Sequence, residues 1–578
     1  MHNMDYNDYE FFQNFSSRTD LTKYKDNALL LYSLQIKFGI EDIDDLATTS
    51  LTDGGGDKKA DLVYINSEKK EAIIAQGYVS KEFKKEAPAN KASDLNTAIV
   101  WLLARDIKDV PDRLRSAAKE LRQKISDGEI TKISLWYSHN SPESKNVQQE
   151  LKSAESTLSS TLKNHFRDHD IECSYLEIGL NTVNTWYSSL TIPILVTDKI
   201  EINHCVGFET AGPDWNSFTT SFPADKLWDL YQKHNTLLFS ANVRDYLGSR
   251  KADSNINNGI KETASNTPTQ FFVYNNGITA LTNKFELSQD KLTVMGISIV
   301  NGAQTTGAIG SLKSKPSADL MIPIRFIKCS NPETVSDIVK YNNSQNKVNA
   351  PDFRSNDDVQ KRITQEFKDL GRMEYSARRG GSVDVIKRNP TLLPSLTAGQ
   401  VLAAFHGKPS VAYNEKSKIW DNDSLYTQFF NERTSGKHIF LCYTLVKAIE
   451  DIKLELIQKT ELLDNEQDLL TFLRSRGSII LFASAIANSL EVILNKKIAN
   501  NFSIVFCKNL TLESAKYEWK QILNMASAFV STLNEGLEDG IKNEERIDKS
   551  IKTFTTLINA IKTSNKVILN KFSANICI

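Results

Sequence analysis

The residues of this chain that could do chemistry fall into three groups: amide clusters beside glycines, one carboxylate–amide pair, and scattered cations. The first amide cluster is Asn275, Asn276 and Gly277, and the second runs Asn301, Gly302, Ala303, Gln304, Thr305, Thr306. A third begins at Tyr341, Asn342, Asn343 and continues through Gln345 and Lys347 to Arg354. The Asn, Gln and Thr side chains of the first two clusters offer hydrogen-bond donors and acceptors but no titratable group, so they suit a polar ligand better than general-base catalysis. Elsewhere, Asp61 leads into an apolar run and Gln76 ends the next one, with Tyr78 two positions on. In a strand, Gln76 and Tyr78 share a face. An Asp–Gln pair of this kind presents the hard oxygens that Mg²⁺ or Mn²⁺ prefers, and a bound metal would acidify an attacking water. The cations Arg244, Lys261 and Arg354 suit phosphate or carboxylate oxygens.

The surrounding pattern says which elements must position these groups. Apolar residues alternate before the first two amide clusters (Phe271, Val273; then Leu292, Val294, Ile297, Ile299), which predicts two half-buried strands ending in glycine turns. Over residues 1 to about 170, strands at Ala60–Ile65, Glu71–Tyr78, Lys132–Tyr137 and Glu172–Ile178 alternate with helices at Ala92–Leu103, Pro111–Ile125 and Ser144–Phe166. That alternation predicts an α/β unit with a mixed sheet. From about residue 435 the pattern turns helical, at Ile439–Lys459, Leu469–Lys496, Ser514–Leu537 and Ile547–Ser564.

At 578 residues the chain exceeds one ordinary core. Its net charge of −1 gives no global pull on nucleic acid, so any such binding must use a local basic strip. The six cysteines form no CxxC or zinc-spaced pair, which predicts reduced thiols. The first residues lack the charged and apolar regions of a signal peptide, and the apolar run Ile479–Ile486 is far short of a membrane span; both favour a cytoplasmic protein with no membrane partner. There is no GxxxxGK[ST] loop, GxSxG elbow or HExxH helix, and the histidines lack a nucleophile context.

Five motifs in order, LFSANVRDYLGSR, NNGIKET, FFVYNNGITAL, IVNGAQTT and NNSQNKVNAPDFRSND, resemble the abortive-infection phage-resistance (AIPR) family over roughly Leu237 to Arg379. The resemblance implies a prokaryotic antiphage defence protein and leaves the chemistry of the core open. The first unit is similar to the PD-(D/E)xK nucleases. By that resemblance Asp61 and Gln76 would be catalytic metal ligands, and Glu10 an outlying helical acid. Tyr78 stands where those enzymes carry lysine, a role that Lys91 or Lys81 would then fill. The turn at Asn301–Thr306 is also similar to the polar turns of ParB/sulfiredoxin-like nucleotide-binding folds, with Asn301 in place of their acid and no arginine after Gln304.

Together these readings predict an α/β multidomain protein: a nuclease-like mixed-sheet domain (1–180), an α+β AIPR core (181–430) and an α-helical C-terminal domain (431–578). The expected function is a defence effector that binds DNA or RNA and cleaves it with a divalent metal. The ligand-binding set would be Arg244, Lys261, Asn275, Asn276, Asn301, Gln304, Asn343, Gln345 and Arg354. The alternatives are a non-catalytic sensor with a degenerate nuclease-like domain, or a core that binds or processes nucleotides. A defence-system partner protein and self-association both fit the C-terminal helices.

Overall fold

A computed structural model describes residues 5–52, 54, 56–191, 194–242, 254–317, 319–329, 331–343, 354, 357–377 and 391–578. It is a mixed α/β chain with several sheets. The first unit opens with helices α1 (Glu10–Ser17), α2 (Ala28–Phe38) and α3 (Ile43–Ser50). Strands β1 (Leu62–Asn66) and β2 (Glu71–Tyr78) follow as an antiparallel pair. Helices α4 (Ala89–Ser93), α5 (Leu95–Leu103) and α6 (Asp112–Ser126) lead to β3 (Lys132–His139), which pairs parallel with β2. Helix α7 (Lys145–His165) returns the chain to β4 (Glu172–Ile178), parallel to β3, and α8 (Leu180–Thr191) follows.

The sheet order is therefore β1-β2-β3-β4. Parallel strands need a crossover, and α4–α6 and α7 supply the two crossovers here. Strand alternation divides the core. Ile74, Ile133 and Leu135 pack under α4–α7, while Ile73, Ala75 and Trp136 pack under α2 and α8.

The second sheet runs β5 (Val196–Ile202), β10 (Lys291–Asn301), β8 (Ile278–Leu281), β11 (Met321–Cys329), β7 (Trp215–Pro223), β6 (Gly207–Ala211), with β9 (Lys284–Ser288) also on β10. Only β8 and β11 pair in parallel among these strands. Helices α9 (Ala224–His234), α10 (Ser254–Asn266), α11 (Phe271–Tyr274) and α12 (Ala303–Gly310) lie with this sheet, and α13 (Pro332–Asn343) follows β11. One expectation fails here: Phe271–Tyr274 is a single helical turn, not a strand. Phe271 alone is buried while the next three side chains face solvent, so the alternation a strand needs is absent.

The remaining helices, among them α14 (Asp358–Leu370), α15 (Ser395–Phe405), α16 (Gly436–Gln458), α17 (Asp464–Arg474), α18 (Ser478–Asn488), α19 (Leu512–Ala526) and α20 (Glu544–Ala560), share one large apolar core. The single helix expected over Leu469–Lys496 is instead broken after Arg474, where α17 and α18 meet at a 110° bend. Arg476, in the break, turns to the first unit: its guanidinium donates to Glu120 Oε2 at 2.9 Å and to the Val63 carbonyl. No single helix among the described residues is long and apolar enough to cross a membrane.

The reduced-thiol expectation also needs correction. Cys507 and Cys577 form a disulfide, because the two short strands β12 (Val505–Phe506) and β13 (Ile576–Cys577) pair antiparallel and bring residues 70 apart side by side. Sequence spacing does not reveal that pairing.

The first unit and the helical core dock through buried charge. Lys447 Nζ donates to both oxygens of Asp42 at 2.9 and 2.8 Å and to Glu450 Oε2 at 2.8 Å. Burial alone would lower the Lys447 pKa, but Asp42 and Glu450 outweigh it and hold the ammonium well above the ordinary lysine range.

Candidate functional site

Two polar regions concentrate the residues singled out from the sequence. The first is at the C-terminal end of β2. Asp61 precedes β1; its N–H donates to the Ala75 carbonyl at 3.0 Å, and its Oδ2 accepts the Gly77 N–H at 2.7 Å. These bonds on either side of Gln76 hold the Asp61 carboxylate beside that residue. Gln76 is 1% exposed, and its Oε1 accepts no hydrogen bond. A buried amide oxygen left unpaired carries a desolvation penalty of about 1–3 kcal/mol, which a ligand would remove.

The strand register extends this row. Tyr137 stands directly across from Gln76 on β3, and Glu177 directly across from Tyr137 on β4. Burial, with Tyr78, Glu177 and Asp61 nearby, holds the Tyr137 phenol well above its ordinary pKa, so it stays neutral and donates to the Pro88 carbonyl at 3.2 Å. Glu177 is engaged separately: Oε1 accepts the Ser144 N–H at 2.9 Å and lies 3.2 Å from His139 Nε2. Two strand spacings, roughly 10 Å of backbone, separate it from Gln76, and its Oε2, like Gln76 Oε1, is buried with no hydrogen-bond partner.

Among the described residues, no set of three or more His, Cys, Asp and Glu side chains could cage a metal. Magnesium, however, often takes only one or two protein oxygens and completes its shell with water and substrate phosphate. The Asp61 carboxylate and the unpaired Gln76 Oε1 fit that mode and do not fit a preformed cage.

Tyr78 occupies the position two after Gln76, and its hydroxyl accepts from Lys84 Nζ at 2.7 Å. Lys91 stands on α4 and Lys81 on the exposed segment after β2. Asp57 is a turn residue, accepting the Gly54 and Lys59 N–H groups. Lys59 pairs with Asp94 at 3.2 Å, and Lys58 lies over the Trp101 ring. Glu10 is beside Tyr187 on α8, whose pKa it helps burial to raise; this is the opposite face of the sheet from Gln76.

The second region is at one end of the large sheet. Gly277 and Gly302 both have positive φ (81° and 94°), and a Cβ on Gly302 would lie 2.8 Å from the Gly277 carbonyl oxygen. The two motif turns therefore touch through bare backbone. Asn275 Nδ2 donates to Thr305 Oγ1 at 3.1 Å, and Asn275 Oδ1 accepts the Gly277 N–H at 2.9 Å. Asn301 Oδ1 accepts the Gly302 N–H, while Asn276 and Gln304 are exposed beside it. Asn301, Thr279 and Arg325 are register partners across β10, β8 and β11. Arg325 donates to Thr279 Oγ1 at 3.3 Å and to Asn342 Oδ1 at 3.0 Å, which ties the third motif to the first two.

Lys261 lies on α10, which packs against α12. Arg354 is elsewhere: it donates to the Trp420 carbonyl and Asp423 and stacks over Tyr426 at 4.0 Å. Its fork is used to fasten the helical core. Arg244 and Gln345 lie outside the described residues, as does the Arg378–Gly381 stretch; for Asn343 only the backbone, as the end of α13, is described.

A family model of AIPR proteins matches residues 239–571. The chain belongs to the AIPR family. Membership suggests a part in abortive-infection defence against phage. The AIPR match takes in the amide region and nearly all of the helical core, and leaves the Asp61–Gln76 hairpin outside it. No curated protein and no solved structure matches the chain.

Sequence reasoning missed Arg325, Lys84 and Glu177. A cation inside the alternating run Met321–Cys329, and an acid inside the strand Glu172–Ile178, were available signals. Lys84 lies in a segment with no periodic pattern, and only the fold brings it to Tyr78.

Proposed function

We propose that this AIPR protein is an antiphage effector that binds nucleic acid with its amide–Arg325 region and cleaves it at a divalent-metal centre on Asp61 and Gln76. The single observation that carries the cleavage reading is the buried Gln76 Oε1 without a hydrogen-bond partner, held beside the Asp61 carboxylate. Mg²⁺ or Mn²⁺, when bound, would acidify a water and neutralise phosphate charge. Asp61 and Gln76 would hold and orient that ion. The Tyr78 hydroxyl, polarised by Lys84, would present a donor to a phosphate oxygen on the same face, the task a lysine performs elsewhere.

A second reading has its own support. Tyr78 replaces the lysine, and only one carboxylate belongs to the centre, which favours a first domain that recognises nucleic acid without cutting it and relays this to a partner protein. The experiment is cleavage of labelled DNA and RNA by the purified chain with Mg²⁺ or Mn²⁺, beside Asp61→Ala and Gln76→Ala. Metal-dependent cutting that both substitutions remove supports the effector reading. Binding without cutting under every metal condition moves the assignment to the sensor.

A further inference from the structure

The short helix α11 has an unusual surface. Phe271 is 1% exposed and anchors it, yet Phe272, Val273 and Tyr274 are 45%, 70% and 70% exposed. Large apolar side chains on a monomer surface are ordinarily scattered, and three in succession mark a binding surface. Position narrows what could bind. Tyr274 directly precedes Asn275, whose side chain is locked to Thr305. Tyr341, 57% exposed, directly precedes Asn342, whose side chain accepts from Arg325. Each exposed ring thus directly precedes a fixed amide at this end of the sheet.

Arg325 supplies the charge. It is exposed, and among the described residues it makes no ion pair; the contacts of its guanidinium to Thr279 and Asn342 use Nη2 alone. The remaining donors of the fork suit a phosphate. With a net charge of −1 on the chain, this local cation does what overall charge cannot. Ring faces beside a phosphate-binding fork match a strand whose bases are free to stack; a duplex keeps its base faces inside.

We propose that Phe272, Tyr274 and Arg325 form a stacking platform for single-stranded nucleic acid. The proposal rests on the nucleic-acid reading above and names its substrate class. The platform is sequence-tolerant, because every base offers a π-face, and the neighbouring amides Asn276 and Gln304 face the same solvent-open end of the sheet.

The test is fluorescence anisotropy of labelled oligothymidylate, oligouridylate and a matched duplex with the full chain in EDTA, so that no metal-dependent cutting can occur. Single strands should bind at least about tenfold more tightly than the duplex. Each of Phe272→Ala and Tyr274→Ala should weaken that binding roughly five- to a hundredfold, while Tyr274→Phe restores it. Arg325→Ala should lower the salt slope by about one unit for every oligonucleotide. Single-strand binding unchanged in Phe272→Ala and Tyr274→Ala, or equal affinity for duplex, overturns the platform and leaves the nucleic-acid reading standing. No binding of any oligonucleotide by the parent chain overturns both.

Discussion

The hairpin carrying Asp61 and Gln76 and the sheet end carrying Asn275, Asn301 and Arg325 solve opposite problems. In the first, a buried amide oxygen is kept unpaired next to a carboxylate, at a cost in stability, inside a mixed sheet covered on both faces. In the second, polar side chains satisfy one another or face solvent, and two glycines let the turns meet. Unpaired buried oxygen is poised for an ion, whereas paired exposed amides with bare rings suit recognition. On the reading proposed above, chemistry and recognition fall on different sheets, and the family match covers only the second.

The largest expected effect breaks the seat of the first region on the helical core. Lys447→Ala leaves Asp42 and Glu450 buried without their cation, and should destabilise the docking of the first unit on the helical core by about 3–5 kcal/mol, read by chemical unfolding. If the first unit and the helical core are independent bodies, the loss will appear as a separated early transition; a single transition moved as a whole would mean they unfold together.

A smaller effect isolates the recognition end. Gly302→Ala drives a methyl against the Gly277 carbonyl at a positive φ and should cost about 1–3 kcal/mol, with loss of oligonucleotide binding. Mn²⁺ binding at Asp61, followed by calorimetry, should be unchanged. Equal loss of both would merge the two regions into one site.

Acid should act on neither site first. Burial lowers the His406 pKa to about 3, with His438 adding to the effect, and lowers that of His438 to about 4. Both are below the ordinary histidine value, so the unfolded chain binds protons that the folded chain refuses. Their contribution is complete above about pH 6.5 and is lost as pH falls toward 4, read as a fall in melting temperature across a pH series. His438→Gln should flatten that slope.

Much of the architecture could be read from periodicity. The strands around Glu71–Tyr78, Lys132–His139 and Glu172–Ile178 and the crossover helices follow from alternation and amphipathic spacing. What could not be read depends on tertiary placement. Phe271–Tyr274 has strand-like composition but is bent into a turn by the burial of Phe271 alone. Cys507 meets Cys577 only because two chain segments pair, and Arg354 looks free in sequence yet is consumed by Trp420, Asp423 and Tyr426. Asp61 and Gln76 were legible as a pair because adjacent strands fix their proximity. The identity of the cation at Tyr78 was not, since a loop lysine carries no pattern.

That cation gives the smallest effect. Lys84→Met should slow metal-dependent cleavage roughly five- to tenfold, about 1 kcal/mol, and Lys91→Met should slow it less. The reverse order would transfer the role to α4 and sharpen the account of the hairpin.

On the proposed reading, the Asp61 centre carries the defence chemistry while the sheet end only recognises. The direct measurement is phage plating on cells expressing the wild-type chain or Asp61→Ala, with oligonucleotide binding measured on both purified proteins. Asp61→Ala should lose protection and keep full binding. Protection by Asp61→Ala equal to wild type would contradict it.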